Sequence, residues 1–228
     1  MLFTYPINAA FNRVIPKTKF YEHATPSPSL KAKFVSDISQ IVWSYKLSPE
    51  TINLPSTQGV QEIQVFTIAL KADSIDPSVL TAIDRSIPSP IVFELHRAKD
   101  AKTVAAYKRP SEVSGISWVV GDYFDTAWVN PAGVRNNLPL ALNMGSLYEQ
   151  LLKAIAPVES RSGETIQDFC ARYAVIRAKQ AEKRKLEAKL KTEKQFNRKV
   201  DLNTALRQIE AEISDLSDST QQISKPTE

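Results

Sequence analysis

The chain has 228 residues, 43% of them hydrophobic and 24% charged, with a formal net charge of +4 and one cysteine, Cys170. That suits one globular domain plus an extension and excludes disorder by composition; a single cysteine excludes an intrachain disulfide and a cysteine-based metal site. No run reaches the ~20 apolar residues of a membrane span, and the opening MLFTYPINAAFNRVIPK does not read as a signal peptide, so no membrane is expected and a reducing cytoplasm is the natural setting.

In chain order, residues 7–14 are predicted as a short helix stopped by Pro16. Residues 29–45 are predicted as a longer one, because Leu30, Phe34, Ile38, Ile41, Val42 and Tyr45 recur at three- and four-residue steps. Pro49 and Pro55 bracket an irregular stretch. Residues 60–70 alternate apolar and polar and predict a strand. Residues 76–86 predict a helix opening on Asp76-Pro77, a favourable cap and first-turn pair. Residues 91–95 and 103–107 are apolar runs separated by HRAKDAK, a hairpin signal. Residues 116–120 and 126–129 are predicted strands around a GDYFD turn, and residues 140–155 a helix. Grouped helices and short links between consecutive strands predict an α+β domain over residues 1–158, its mostly antiparallel sheet carrying helices on one face.

Residues 159–218 are different: a long helical or coiled-coil arm, followed by a disordered tail over 219–228. Ile166, Phe169, Tyr173 and Ile176 follow helical spacing, and so do Leu202, Leu206, Ile209, Ile213 and Leu216, the candidate helix-packing or partner stripe. Between them the apolar residues thin out. Residues 177–200 hold ten Lys/Arg against three Glu, whereas residues 201–228 hold two basic and six acidic residues. A basic block beside an acidic one suits an acidic partner, or self-pairing in cis or in trans. Two geometries compete. One is a hairpin bent within residues 196–201, with Asp201 capping the second helix. The other is a single helix of about 50 residues, near 75 Å long.

Candidate chemistry is sparse. No G-x-S-x-G, Walker loop or G-x-G-x-x-G occurs, and no cofactor is implied. His23 and His96 sit in different segments, without a second histidine or cysteine at ligand spacing. Cys170 reads as a buried or half-buried helix residue. Glu94-x-His96 with Lys102 and Lys108 has the flavour of a metal-dependent nuclease strand. Such sites need converging carboxylates, however, and Glu62, Asp73 and Glu94 lie on different elements. Basic and aromatic residues interleave at Lys17–Tyr21 and Tyr107–Arg109, mixtures that can contact phosphates and bases. On the arm, Lys183, Arg184, Lys185, Lys189, Lys191 and Lys194 form a candidate phosphate-contacting strip.

The runs IPKTKFY (15–21), YKLSPETINLPST (45–57), VQEIQVFTIAL (60–70), SIPSPIVFEL (86–95), AAYKR (105–109), LYEQLLKAI (147–155) and KQFNRKVDLN (194–203) resemble a family of bacterial and archaeal proteins, the domain of unknown function 4391. The resemblance covers almost the whole chain. The family has no assigned activity, so it carries no catalytic residues over. It implies a setting near helicase and DNA-methyltransferase genes, in restriction-like or phage-defence clusters. The resulting expectation is a non-catalytic assembly subunit whose protein partner is a helicase or a second copy. A binder of DNA or RNA backbone through the basic helix is the alternative, and an undetected metal-dependent nuclease the third reading.

Overall fold

The computed structural model describes residues 1–24, 26–111 and 118–219. The chain divides into two compact units, Met1–Pro157 and Val158–Glu228. Among the described residues the first contains eight strands and five helices. Strand β1 (Phe3–Thr4) leads through a 3₁₀ turn (Ile7–Ala9) into β2 (Ala10–Val14). Helices α1 (Lys17–Ala24) and α2 (Pro28–Asp37) precede β3 (Ile38–Leu47), and the short α3 (Pro49–Ile52) precedes β4 (Ile63–Leu70). Helix α4 (Pro77–Ser86), β5 (Ile91–Arg97), β6 (Asp100–Pro110), β7 (Trp118–Asp125), β8 (Asn136–Asn137) and α5 (Met144–Ile155) complete the unit.

The main sheet has the order β2-β3-β4-β5-β6-β7 and is antiparallel except at β4–β5, where α4 makes the crossover. The fold is therefore α+β with a mostly antiparallel sheet, as the grouping of elements predicts. The central strands β4 and β5 are near-continuous apolar runs because both their faces are covered. On one face Phe20 of α1, Phe34 of α2 and Val79, Leu80 and Ile83 of α4 pack on Ile41, Phe66, Phe93, Leu95 and Val104. On the other, the Tyr148 hydroxyl of α5 accepts from the backbone N–H of Lys108 (2.9 Å) and donates to the Ala106 carbonyl, pinning α5 to β6.

Several elements differ from the sequence expectation. The helix over 29–45 ends at Asp37, and residues 38–47 are strand β3. Ser27 caps α2, accepting from the Leu30 N–H at 3.2 Å. The buried positions of β3 are Ile38, Ile41, Ser44 and Leu47, one every three residues. Register shifts between Ile38 and Gln40 and between Trp43 and Tyr45 break the alternation and imitate a helical period. Residues 10–14 are a strand, with Asn12 at φ 51° inside a further register shift, between β2 and β3. GDYFD is no turn but the body of β7. A Cβ on Gly121 would lie 3.2 Å from the Tyr107 carbonyl oxygen, where β6 bulges, so the glycine serves close backbone approach. Residues 126–129 contribute only an isolated bridge, Ala101 to Val129. Residues 116 and 117 lie outside the described residues, as does the expected tail from 220 onward.

The second unit consists of α6 (Ile166–Thr192) and α7 (Phe196–Ser217), packed against each other as a helical hairpin. A single helix of about 50 residues is thus excluded. The bend is Glu193–Gln195, earlier than expected, and Asp201 lies within α7 rather than at its cap. The Glu193 carboxylate folds over the bend, accepting from the Lys194 and Gln195 N–H groups at 2.8 Å each.

Candidate nucleic-acid interface

The hairpin places the acidic segment beside the basic one. Lys179 pairs with Glu212, and Lys183 with Glu210 at 2.6 Å. The hydrogen bond to Glu210 raises the Lys183 pKa, and the bonds from Lys179 and Gln208 hold Glu212 below the usual carboxylate range. Leu206 and Ile209 are buried, at 9% and 6% exposure, and Leu202, Ile213 and Leu216 are half-buried. The apolar stripe that the sequence offers to a partner is thus largely covered within the chain.

The open end of the hairpin is locked by two arginines. Arg172 grips Glu164 with two nitrogens (2.6 and 2.7 Å) and donates to the Leu216 carbonyl at 2.8 Å. Arg161 donates to the carbonyls of Asp215 (2.9 Å) and Asp218 (3.0 Å). Together they satisfy carbonyls that the last turn of α7 would leave open. Burial works against ionisation of Glu164, but the bonds from Arg172 and Arg161 hold its pKa below normal.

With Glu210 and Glu212 of α7 engaged on one side of α6, the opposite side is basic. At roughly 100° per residue, Arg184, Lys185 and Lys191 lie 100° or more from the half-buried Leu186 and Leu190, and Lys189 borders that stripe. These four and Lys194 in the bend are exposed, and none takes part in an ion pair among the described residues. Of the six predicted strip residues, Lys183 alone is drawn into the hairpin. Cys170 is half-buried on α6.

The other candidates do not assemble. Lys17 donates to the Ile38 carbonyl at 2.5 Å, Phe20 is in the core, and Lys19 pairs with Glu22 at 3.1 Å, so Lys17 and Phe20 are engaged within the fold. Lys108 is fully buried, donating to the carbonyls of Asp84, Ile87 and Ser89 where α4 ends. Glu62, Asp73 and Glu94 do not converge: the described residues contain no group of three His, Cys, Asp or Glu that could hold a metal ion. The Glu94 carboxylate instead receives two bonds from Arg135, at 2.9 and 3.1 Å. A 360 Å³ cleft is walled by Ile15, Phe20, Trp43, Phe66, Ile87 and Pro88. At its polar end Glu62 pairs with Lys46 (2.7 Å) and accepts from Gln64 (2.6 Å) and Ser89 (3.1 Å).

Sequence reasoning passes over Phe196, treating it only as part of a bend. The missed signal is an aromatic residue inside KQFNRK, at the one place in the hairpin where the chain turns.

These features define an α+β protein bearing an intrachain helical hairpin with a basic outer face. Residues 3–213 match the family described as Domain of unknown function (DUF4391), and the chain belongs to that family. No curated protein and no solved structure was found to match the chain. No helix among the described residues is long and apolar enough to cross a membrane.

Proposed function

We propose that the protein is a non-catalytic interaction subunit that contacts nucleic-acid backbone through the outer face of α6 and works beside a helicase-class enzyme in a DNA-processing or defence assembly. The observation that carries this reading is the strip Arg184, Lys185, Lys189, Lys191 and Lys194, exposed and, among the described residues, without ion pairs although six acidic residues follow it in sequence. Glu210 and Glu212 offset charge on the inner side of the hairpin and leave the strip positive, which favours a polyanion. The helicase-class partner follows from family context.

Salt dependence is the test. Five phosphate contacts on duplex DNA give a slope of log K on log salt of about −4.5. Changing the five strip residues to Glu should weaken binding at least tenfold at low salt and flatten that slope. Equal binding by wild type and variant sinks the reading.

A specific observation also favours a protein-docking role for the first unit. Val134, Leu140 and Leu142, all in the segment between β7 and α5, are 98%, 97% and 86% exposed. Exposed aliphatic side chains gathered in one segment suit a partner surface. Co-purification with a helicase encoded beside this chain should be lost when all three become Ser, with the fold unchanged by circular dichroism.

A further inference from the structure

The tip of the hairpin differs chemically from its flank. Phe196, the first residue of α7, is 78% exposed, and Val200, one turn on, is 48% exposed. They share a helix face with Lys199, which is also exposed. That face does not continue the seam between the helices. At roughly 100° per residue, Phe196 lies about 80° to 140° and Val200 about 120° to 180° round the helix from Leu202, Leu206 and Ile209. The two apolar side chains therefore point away from α6, and burial in the hairpin does not explain them.

Charge surrounds them. Lys194, Arg198 and Lys199 flank Phe196 within three residues on either side, and Lys189 and Lys191 precede the bend. Glu193 is the sole acid in residues 188–200, and it is engaged with two backbone N–H groups and, at 4.0 Å, with Arg198. An exposed aromatic ring in a basic setting suits a ligand that joins a flat, apolar surface to negative charge. Unpaired nucleotides have both, because every base offers a π-face and every linkage a phosphate, whereas a duplex keeps its bases stacked inside.

We propose that the hairpin tip binds unpaired nucleotides, with Phe196 stacking on an exposed base while Lys194 and Lys199 contact the adjoining phosphates. This rests on the backbone-binding reading above and narrows it from any nucleic acid to single-stranded or frayed segments. The flank of α6 supplies attraction for either form, and the tip supplies the preference.

The test compares the full-length chain on labelled oligothymidine, oligouridine and a blunt duplex, each of about 16 nucleotides, by fluorescence anisotropy at one low salt concentration. Wild type should bind the single strands several-fold tighter than the duplex. Phe196→Ala should weaken single-strand binding about tenfold, the effect of losing one stacked base, and leave duplex binding within about twofold. Phe196→Trp should restore it, and its tryptophan emission should fall on binding. Oligothymidine and oligouridine report whether DNA or RNA is the favoured source of unpaired bases. If Phe196→Ala weakens both forms equally or neither, the stacking proposal falls while backbone binding stands. If wild type binds none of the three, both fall together. Tight binding of vesicles rich in anionic lipid, lost in Phe196→Ala while oligonucleotide binding is unaffected, overturns it in favour of a membrane surface. Since Phe196 is exposed, its substitution should leave the thermal midpoint unchanged.

Discussion

Glu94 shows how a buried carboxylate is held charged by its partners. It is 4% exposed on β5, with Arg135 donating to both its oxygens and to the Phe3 carbonyl at 2.7 Å. Burial raises its pKa, but the hydrogen bonds from His96 and Arg135 outweigh that and hold it below the ordinary range. A carboxylate whose folded pKa lies below the unfolded one stabilises fully above about pH 4.3 and loses that contribution as pH falls through the folded value. Glu94→Gln should therefore cost about 2 kcal/mol at pH 7. The gap between wild type and variant, followed by urea denaturation, should narrow as pH drops below about 4. A gap that stays constant from pH 7 to pH 3 contradicts this role for Glu94. Lys108 poses a sharper case. Burial lowers its pKa and raises that of Asp84, whose second oxygen accepts from Tyr123 at 2.6 Å. Lys108→Met leaves Asp84 buried without its cation and should destabilise by about 3–5 kcal/mol. Adding Asp84→Asn should recover part of the loss rather than deepen it, and additive losses rule out the coupling.

At the scale of elements, the hairpin depends on its open end more than on helix propensity. Arg172 joins the start of α6 to the end of α7 through Glu164 and the Leu216 carbonyl. Arg172→Ala should therefore raise amide exchange throughout 205–217 on α7, while Lys185→Ala on the outer face should not. Equal protection in both variants removes Arg172 from this role. The same elements show what the sequence discloses. Helices α4, α5 and α7 and the start of α6 are legible from helical spacing, strand β4 from its alternation, and β5 and β6 as apolar runs around a turn signal. Strand β3 is not, since two register shifts place its buried side chains three apart, a spacing that one chain read alone shares with a helix. Position 121 misleads for a related reason: glycine reads as a turn signal, yet there it accommodates the bulge in β6. The basic strip is legible because it is local. Its significance is not, because which lysines remain uncovered depends on pairings such as Lys183 with Glu210, 27 residues apart, that exist only once the bend has formed. The Lys108–Asp84–Tyr123 cluster gives no sequence signal at all, its members being separated by tens of residues.

For the whole molecule, the question is whether the complementary blocks pair within one chain or between two. Both arrangements make the same contacts, since α7 of a second copy could occupy the same seam and meet Lys179 and Lys183 equally well. Contact energies therefore cannot decide the matter, and effective concentration does. A three-residue bend holds α7 beside α6 at a concentration of order millimolar, so at about 1 μM chain the intramolecular form leads by roughly a thousandfold. Strain in the bend could offset that lead and favour an exchanged dimer. Here Glu193 satisfies the Lys194 and Gln195 N–H groups, and among the described residues only Asn12, Asn53 and Gly163 have positive φ, none of them in the bend. Sedimentation at micromolar concentration should accordingly give the one-chain mass of 25.5 kDa at both low and high salt. Extending the bend by several Gly-Ser residues should leave that mass unchanged, whereas shortening it until the chain cannot turn should produce a dimer. A dimer in the unaltered chain, dissolving as salt rises, would instead place the acidic block on the basic block of a second copy. The strip on α6 would then act within a two-chain assembly rather than on a single hairpin.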